Sequence, residues 1–426
     1  MSILIKNANL ISMSDKREKI ENDIDILIEN GKIKKIDKNI EKVAEKIIDA
    51  KGKVVMPGLI NTHAHVPMSI FRETLDGYTL QDWLEKKIWP MEDKLTKEDI
   101  YYASMLSFIE MIKTGTTTIN DMYFMQEDII KAALETGVRL QTTRTLMDLA
   151  NDGEVRLAEI EELIKKYNGK EETITLNIGI HGFYTSNAPY IEKCANLARK
   201  YNLPVHIHFC ENTKEKEDIK KAYFIKSPVE LISKYFKGLH VILAHTVKLT
   251  EEELQELAKY DIYVSHCPVS NLKLGCGIAN ISYMVKNGIT VSIGTDGQGS
   301  GSNLDLFEAM KYTALLQKGA NENPKELPAY EVLKMATVNG AKTLGLEENI
   351  GKIEEEMNAD IIIIDLNTVT TIPLNNIFSE IVYNVKGINV ETTIINGKIV
   401  MENRIMTGIP EKEIYDKCNE IIQRIK

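Results

Sequence analysis

The sequence has few cysteines and no long apolar run, and both absences limit what the protein can be. Its five cysteines are dispersed over 426 residues without a CxxC pair, which argues against a disulfide framework and against a zinc site made of thiolates. Apolar stretches such as the four isoleucines at 361–364 are far shorter than the ~20 residues of a membrane-spanning helix. We therefore expect no membrane span and expect most cysteines to be buried.

Positive charge is also scarce. Lysine and arginine number 52 against 62 aspartates and glutamates, a net charge of −10, and no segment concentrates the basic residues. We therefore expect no nucleic-acid partner. Residues 1–12 are amphipathic and run into charged residues without a cleavage-site pattern, so we interpret them as a strand and not as a signal peptide. A cytoplasmic protein is the expectation.

The two ends of the chain resemble each other. Residues 23–36 alternate apolar and polar side chains around Asn30-Gly31, and residues 391–404 do the same around Asn396-Gly397. Asn-Gly supplies the positive φ angles of a type I′ turn, so each segment predicts a hairpin. Because such short strands do not each form a stable sheet, we expect residues 1–56 and 358–426 to pair into one small β domain.

Between the ends, short β-rich runs alternate with longer helical segments. Strands that alternate with helices indicate parallel βα units, and eight such units favour a closed (β/α)8 barrel over residues 57–357. An open doubly wound sheet is the alternative. The eight runs are 54–60, 116–121, 139–146, 175–184, 204–211, 240–247, 262–267 and 290–296.

Polar side chains stand at the ends of most of these runs. In a barrel the carboxyl ends of the strands meet at one mouth, where the chemistry of this fold takes place. Any one of these residues could simply hydrogen-bond a loop, but their repetition over seven of the eight runs favours a shared site. They are His63 and His65, Asp121, Arg144, His181, His208, His245 and Asp296.

Three of the motifs predict a metal site. In NTHAHVP, His63 and His65 point to the same face of an extended segment. HIHFCEN repeats this spacing around His208, and SIGTDGQGSG places Asp296 in a turn of small residues. Imidazoles with a carboxylate suit a divalent ion, zinc or alternatively iron. The glycines of GTDGQGSG leave a phosphate-binding, non-catalytic nucleotide module as another possibility, although no GxGxxG follows the first strand.

The order of these motifs resembles a known superfamily. PGLINTHAH, HxHxxE, a lone histidine on the sixth strand and xGTDG are similar to the amidohydrolase superfamily, whose members combine a metal-dependent barrel with a small β-sandwich built from both termini. LQDWLEKKIWPMEDKLT and SHCPVSNLKLGCGIA resemble the branch that deaminates 5′-methylthioadenosine and S-adenosylhomocysteine, which includes 5′-deoxyadenosine deaminases. The resemblance covers essentially the whole chain.

The resemblance implies a hydrolase that replaces the amino group at C6 of a 5′-modified adenosine with oxygen and releases ammonia. Glu211 would be the proton shuttle, Asp296 the base and His245 the residue that orients the attacking hydroxide. No lysine stands on the fourth strand to bridge a second metal, so a single ion is expected, with His206 as a neighbour pointing into the barrel wall. The implied ligands are His63, His65, His208 and Asp296.

The resemblance also implies substrate contacts. The segment with Trp83 and Trp89 would form a lid whose Glu92 accepts hydrogen bonds from two ribose hydroxyls, although packing of a long loop is the simpler interpretation of the aromatics. Arg144 and Arg156 would meet a carboxylate or line the region of the 5′ substituent, or else form surface ion pairs. His181, Glu211 and Asp296 would contact the purine. Alternative substrates are guanine, cytosine or a chlorotriazine, and a homo-oligomer, dimer or tetramer, is expected.

Overall fold

The computed structural model describes residues 2–426; Met1, which belongs to the predicted first strand and β domain, lies outside the described residues. In this part of the chain, no helix is both long enough and apolar enough to span a membrane. The strands are β1 (Ser2–Leu10), β2 (Glu21–Glu29), β3 (Lys32–Asp37), β4 (Lys46–Asp49), β5 (Val54–Pro57), β6 (Leu59–Ala64), β7 (Thr116–Asp121), β8 (Arg139–Thr142), β9 (Ile174–Leu176), β10 (Ile178–Ile180), β11 (Val205–Phe209), β12 (Val241–His245), β13 (Ile262–His266), β14 (Thr290–Ile293), β15 (Ile361–Ile364), β16 (Val390–Ile395), β17 (Lys398–Glu402) and β18 (Ile405–Met406).

Helices follow most of the barrel strands. Two of them begin with a capping box, at Thr96 with Asp99 and at Thr250 with Glu253. The α-helices are α1 (Leu80–Trp83), α2 (Trp89–Glu92), α3 (Lys97–Lys113), α4 (Gln126–Thr136), α5 (Gly153–Tyr167), α6 (Ala188–Tyr201), α7 (Thr213–Tyr223), α8 (Val229–Tyr235), α9 (Glu251–Leu257), α10 (Pro268–Lys273), α11 (Ile281–Lys286), α12 (Gln298–Gly301), α13 (Leu306–Ala320), α14 (Ala329–Met335), α15 (Val338–Thr343), α16 (Ile377–Tyr383) and α17 (Glu411–Ile425).

The middle of the chain is a barrel of parallel strands. Strands β6 to β9 pair in order, and so do β10 to β14. β9 and β10 occupy one position of the barrel and are interrupted only at Asn177, so the barrel has the eight positions predicted. It closes where the main-chain N–H groups of Thr295 and Asp296 donate to the carbonyl oxygen of His63, at 3.2 and 3.0 Å. The (β/α)8 fold class is confirmed.

Strands from both ends of the chain form one nine-stranded sheet. Its order is β18-β17-β16-β15-β5-β1-β2-β3, and β4 pairs with β1. Both Asn-Gly hairpins are present: Asn30 and Gly31 have φ angles of 51° and 79°, and Asn396 and Gly397 have φ angles of 48° and 69°. The predicted β-rich domain built from both termini is therefore confirmed, whereas its boundaries at 1–56 and 358–426 stay a prediction.

The first predicted barrel run, 54–60, is two strands. β5 belongs to the terminal sheet, where it pairs antiparallel with β15, and only β6 enters the barrel. Gly58 lies between them, and a Cβ atom there would lie 2.2 Å from the side chain of Thr117. The close approach of Gly58 to the second barrel strand leaves no room for a side chain at the point where the run divides.

A buried ion pair joins the barrel to the terminal sheet. Arg139, at the start of β8, has its Nε 2.8 Å from Oδ2 of Asp360, and both side chains are buried. Oδ1 of Asp360 accepts the main-chain N–H of Asn396 at 2.7 Å. Because a buried pair is costly to break from one side only, this contact fixes the sheet against the amino-terminal ends of the barrel strands and leaves their carboxyl ends open.

Candidate active site

The carboxyl ends of β6, β11, β12 and β14 bring the four predicted ligands and His245 together. Nε2 of His65 lies 3.2 Å from Nε2 of His208 and 3.2 Å from Oδ1 of Asp296. Nε2 of His63 lies 3.5 Å from the same carboxylate oxygen. The ligand atoms of His63, His65 and His208, and those of His63, His245 and Asp296, each lie within 4.8 Å of one another. These side chains form one compact cluster.

Hydrogen bonds behind the cluster determine which ring nitrogens face it with a lone pair. Nδ1 of His65 lies 2.6 Å from the carbonyl oxygen of Met122, and Nδ1 of His208 lies 2.6 Å from that of His181. A carbonyl only accepts, so each Nδ1 carries a hydrogen, and in the neutral rings the Nε2 atoms present lone pairs to each other. Two facing lone pairs repel each other, so this arrangement is stable only with a cation, either a proton or a metal ion, beside them.

The electrostatics of the cluster agree with this requirement. Burial lowers the pKa of His63 to about 4, and its Nε2 is buried without a hydrogen-bond partner among residues 2–426. Burial opposes charge on His65 as well, but the hydrogen bond with Asp296 raises its pKa to about 9, so a proton is held next to the carboxylate. The cluster thus attracts positive charge, and its donors are those a borderline divalent ion takes.

Asp296 is held by two serines that the sequence interpretation missed. Its Oδ2 accepts hydrogen bonds from the hydroxyls of Ser270, at 2.6 Å, and Ser300, at 2.8 Å, which leaves Oδ1 to face the histidines. Although burial opposes ionisation, the adjacent imidazoles of His63 and His65 hold the pKa of Asp296 well below its usual range. The serines lie in PVSN and GQGSG, so the motifs contained them without indicating their role.

His245 and Glu211 lie side by side at the same mouth. Nδ1 of His245 donates to Oδ1 of Asn271 at 2.9 Å, which directs the other ring nitrogen into the cluster. Oε1 of Glu211 lies 3.9 Å from Nδ1 of His245 and 3.8 Å from Sγ of Cys276. Burial raises the pKa of Glu211. A carboxyl group that retains its proton at higher pH is suited to general acid catalysis.

A second buried carboxylate, missed in the sequence, orients the segment of Glu211. Glu215 accepts the main-chain N–H groups of Cys210, at 3.0 Å, and Glu211, at 2.7 Å. It is the third residue of α7, and its own main-chain N–H donates to Oδ1 of the N-cap residue Asn212 at 2.9 Å. The spacing of Asn212 and Glu215 follows the capping-box pattern. This pattern is the sequence signal that could have indicated a structural role for Glu215. Glu215 departs from the pattern by reaching further back along the chain.

His206 is buried next to the ligands. Its Nε2 lies 2.9 Å from Nδ1 of His63, and its Nδ1 lies 3.3 Å from the amide nitrogen of Asn120. It therefore supports His63 from behind, and its place as a neighbour of the cluster follows the sequence interpretation. Asp121 also lies behind the cluster, where it accepts the main-chain N–H of Val66 at 2.7 Å.

The predicted substrate-contact residues are spread around the rim. Glu92, at the end of α2, accepts a hydrogen bond from the phenol of Tyr123, and burial raises its pKa to about 7. Burial lowers the pKa of His181 to about 4. Trp83 is buried and packs beside Gly299, which supports the packing interpretation for this tryptophan. Trp89 is 39% exposed and lines a cavity.

That cavity, of about 940 Å³, extends outward from Glu92 to both predicted arginines. Nε of Arg144 lies 2.7 Å from Oε2 of Glu159, and Nε of Arg156 lies 2.7 Å from Oδ2 of Asp152. Each arginine therefore forms an ion pair, the alternative stated for both of them, while still lining the cavity. Their contact with a substrate stays a prediction.

Comparison with known proteins agrees with this geometry. Residues 54–400 match the amidohydrolase family model, and the chain belongs to this family. It is 42% identical to a 5′-deoxyadenosine deaminase of Methanobrevibacter smithii, over all of this chain and 98% of the relative. It is 39% identical to a 5-methylthioadenosine/S-adenosylhomocysteine deaminase of Caldanaerobacter subterraneus, over all of this chain and 99% of the relative.

A solved structure shows the same fold. An adenosine deaminase from Xanthomonas campestris with bound zinc superposes with a TM-score of 0.95 at 27% identity, covering 99% of this chain and 98% of that chain. The relatives and this neighbour are named as deaminases, so the enzyme class predicted from the sequence, a hydrolase of cyclic amidine C–N bonds, is confirmed.

Proposed function

We propose that this protein catalyses the metal-dependent hydrolytic deamination of 5′-modified adenosines to the corresponding inosine analogues and ammonia. Its substrates are drawn from 5′-deoxyadenosine, 5′-methylthioadenosine, S-adenosylhomocysteine and adenosine, the compounds implied by the names of the relatives. The observation that carries the proposal is the pair of Nε2 atoms of His65 and His208, which face each other 3.2 Å apart beside the buried acid Glu211. This combination suits a hydrolytic reaction that must also protonate a leaving amine.

The cluster would hold one divalent ion, most simply zinc, through His63, His65, His208 and Asp296. Iron(II) is the alternative metal. When bound, such an ion lowers the pKa of coordinated water from ~15.7 to ~7 and so supplies a nucleophile at neutral pH. Two observations favour zinc. The Xanthomonas neighbour holds bound zinc, and zinc prefers tetrahedral sites with imidazole and carboxylate ligands.

The protein's own residues would then move the protons. Asp296 accepts the proton of the attacking water, while Ser270 and Ser300 hold its side chain in place. His245, fixed by Asn271, orients that water. Glu211 donates a proton to N1 of the adenine ring as C6 becomes tetrahedral. It then carries the proton taken by Asp296 to the departing amine, and it recovers its own proton from the C6 hydroxyl as the carbonyl forms. Its raised pKa supports this role.

Residues at the rim would bind the nucleoside. His181 contacts the purine, and Glu92 accepts hydrogen bonds from the two ribose hydroxyls. The cavity beyond Glu92, which Arg144 and Arg156 line, receives the 5′ substituent. A phosphate-binding function for the GTDGQGSG loop is disfavoured because the buried carboxylate of Asp296 lies in that loop and takes the hydroxyl of Ser300.

A substrate panel tests the proposal. The zinc-loaded enzyme is incubated with the four nucleosides named above and with guanine, cytosine and atrazine, and released ammonia is measured. We expect ammonia from the 5′-modified adenosines and a clear preference for them over the free bases. A preference for guanine or cytosine, or dechlorination of atrazine, would identify the alternative substrate class instead.

We also propose a cytoplasmic enzyme that forms a homo-oligomer, either a dimer or a tetramer. The five cysteines are all free and buried, as is usual in a reducing compartment. The oligomeric state rests on the family resemblance. Light scattering coupled to size-exclusion chromatography tests it, and a mass of one chain would contradict it.

A further inference from the structure

One side-chain hydrogen bond joins α2 to the barrel. The phenol of Tyr123, the second residue after β7, donates to Oε1 of Glu92 at the end of α2. Among residues 2–426, this phenol is the one hydrogen-bond donor to the Glu92 carboxylate. A carboxylate has about four acceptor positions, so Oε2 and the second lone pair of Oε1 stay available. The contact therefore holds Glu92 without using up its capacity to accept hydrogen bonds.

The barrel holds Tyr123 in turn. Its side chain is 4% exposed and stacks on Phe124, with ring centroids 4.1 Å apart. Its carbonyl oxygen accepts the main-chain N–H of Thr145, at 2.8 Å, and the hydroxyl of the same residue, at 2.9 Å. Because packing determines its ring position and these hydrogen bonds fix its main chain, Tyr123 is a rigid donor.

The residue before Tyr123 supports the metal cluster. The carbonyl oxygen of Met122 accepts the Nδ1 hydrogen of His65 at 2.6 Å. Two consecutive residues thus hold a proposed metal ligand and Glu92. In a nucleoside, the reacting carbon C6 and the ribose hydroxyls lie at opposite ends of the molecule. Fixing the distance between the groups that hold these two ends favours the reactive orientation of the substrate.

The hydrogen bond also favours the charged form of Glu92. Burial raises the pKa of Glu92 to about 7, and the hydrogen bond from Tyr123 opposes this rise. Burial and the adjacent carboxylate raise the pKa of Tyr123 well above its usual range, so the phenol keeps its proton and donates. An ionised carboxylate accepts hydrogen bonds from hydroxyls more strongly than a neutral carboxyl group does.

Resting on the proposed function, we propose that Tyr123 is a positioning residue for ribose recognition. It acts through Glu92, whose carboxylate it holds at a set distance from the metal cluster, with acceptor positions left for the ribose hydroxyls. A nucleoside with both hydroxyls therefore gains from Tyr123, and a nucleoside without them does not.

Adenosine and 2′,3′-dideoxyadenosine, which differ only in the two ribose hydroxyls, test this role. Tyr123→Phe removes the phenolic oxygen and keeps the ring that stacks on Phe124. With the zinc-loaded enzyme, we expect kcat/KM for adenosine, measured by ammonia release, to fall at least ~5-fold, chiefly through KM. For 2′,3′-dideoxyadenosine, kcat/KM should change less than ~2-fold.

A second substitution shows whether Tyr123 acts through Glu92. In a Glu92→Ala background no carboxylate is left to position, so adding Tyr123→Phe should lower kcat/KM for adenosine by no more than ~2-fold. Tyr101→Phe is the matched control, because the phenol of Tyr101 donates to Oε2 of Glu135 at 2.7 Å in an exposed contact between α3 and α4. It should leave the reactions of both nucleosides unchanged.

The outcomes separate this role from the proposed function. An unchanged kcat/KM of Tyr123→Phe for adenosine, or equal proportional losses on both nucleosides, would overturn the positioning role and leave the deaminase assignment standing. Additive losses in the double variant would overturn the action through Glu92. Absence of ammonia from every nucleoside with the wild type would overturn the role together with the proposed function.

Discussion

The carboxylate of Glu215 accepts the main-chain N–H of Glu211 at 2.7 Å, so one buried acid positions another. Glu215 also holds the N–H of Cys210, a residue with a φ angle of 52°. Left-handed backbone is unfavourable for such a residue without support from its surroundings. Glu215 supplies that support to Cys210, which lies in the chain between His208 of the cluster and Glu211, the proposed proton shuttle.

Replacing Glu215 with glutamine is expected to lower turnover without removing the metal. The amide offers one acceptor oxygen, so the N–H of Cys210 or that of Glu211 loses its partner and Glu211 shifts. We expect kcat to fall at least ~10-fold, with metal content by elemental analysis unchanged. Glu217→Gln, an exposed site on the same helix that pairs with Lys220, is the control. Wild-type turnover in Glu215→Gln would contradict the positioning role.

The same substitution should change how stability depends on pH. Burial and the neighbouring Glu211 raise the pKa of Glu215 to about 7, above the ~4.3 of an unfolded glutamate. The folded state therefore binds this proton more tightly, and the resulting stabilisation is complete below ~pH 4.3 and is lost as pH rises through 7. The free energy of unfolding of the wild type, measured by denaturant titration relative to Glu215→Gln, should fall by up to ~4 kcal/mol across that window. A difference that stays constant with pH would show that Glu215 ionises normally.

The metal site should hold one ion per chain. Because a mononuclear site has little ligand redundancy, His63→Ala and Asp296→Ala should each reduce both metal content and activity. His240→Gln is a suitable control, since His240 hydrogen-bonds the carbonyl oxygen of Thr343 at the other end of the barrel. Two tightly bound and essential ions per chain would exclude the single-metal interpretation.

Glu211→Gln should separate proton transfer from metal binding. Glutamine keeps the size and hydrogen-bonding capacity of the side chain but cannot deliver a proton, so kcat should fall by at least ~10²-fold. Metal content should be retained, because Glu211 is not among the proposed ligands. Near-normal turnover would refute the assignment of Glu211 as the shuttle.

Substitution of Glu92 should show whether the enzyme recognises the ribose of a nucleoside. If its carboxylate accepts from both ribose hydroxyls, Glu92→Ala should lower kcat/KM for 5′-deoxyadenosine by ~10- to 100-fold, the range expected for charged hydrogen bonds. The already weak reaction of 2′,3′-dideoxyadenosine should change little, since that compound lacks the hydroxyls. Loss of the adenine absorbance measures both reactions. Equal proportional losses on the two compounds would mean that Glu92 supports the lid and not the sugar.

Sequence patterns predicted that the side chains of the cluster share one mouth because they stand at strand ends, whereas the choice of ligands among them came from the resemblance to the amidohydrolase superfamily. The alternation of strands and helices indicated parallel strands, and the carboxyl ends of parallel strands meet at one mouth of a barrel. That geometry brings together His63, His65, His208, His245 and Asp296. In contrast, the contacts of Arg144 with Glu159 and of Glu92 with Tyr123 join side chains of separate helices and loops. Local patterns contain no information on such distances. The division of run 54–60 was also missed, because it depends on the pairing of β5 with β15, which joins residues far apart in the sequence.

The pairing of β5 with β15 has a consequence for the order in which the molecule can be built. Pro57 stands opposite Ile361 in this pairing, with the entire barrel between them in the chain. During synthesis, β5 leaves the ribosome long before its partner β15 has been made. The edge of β5 therefore stays open until the whole barrel and then β15 have been synthesised. Contacts so distant in sequence form slowly. Loss of the carboxyl-terminal strands would therefore expose a row of unpaired main-chain groups at the opposite end of the sequence, and truncated chains should aggregate through it.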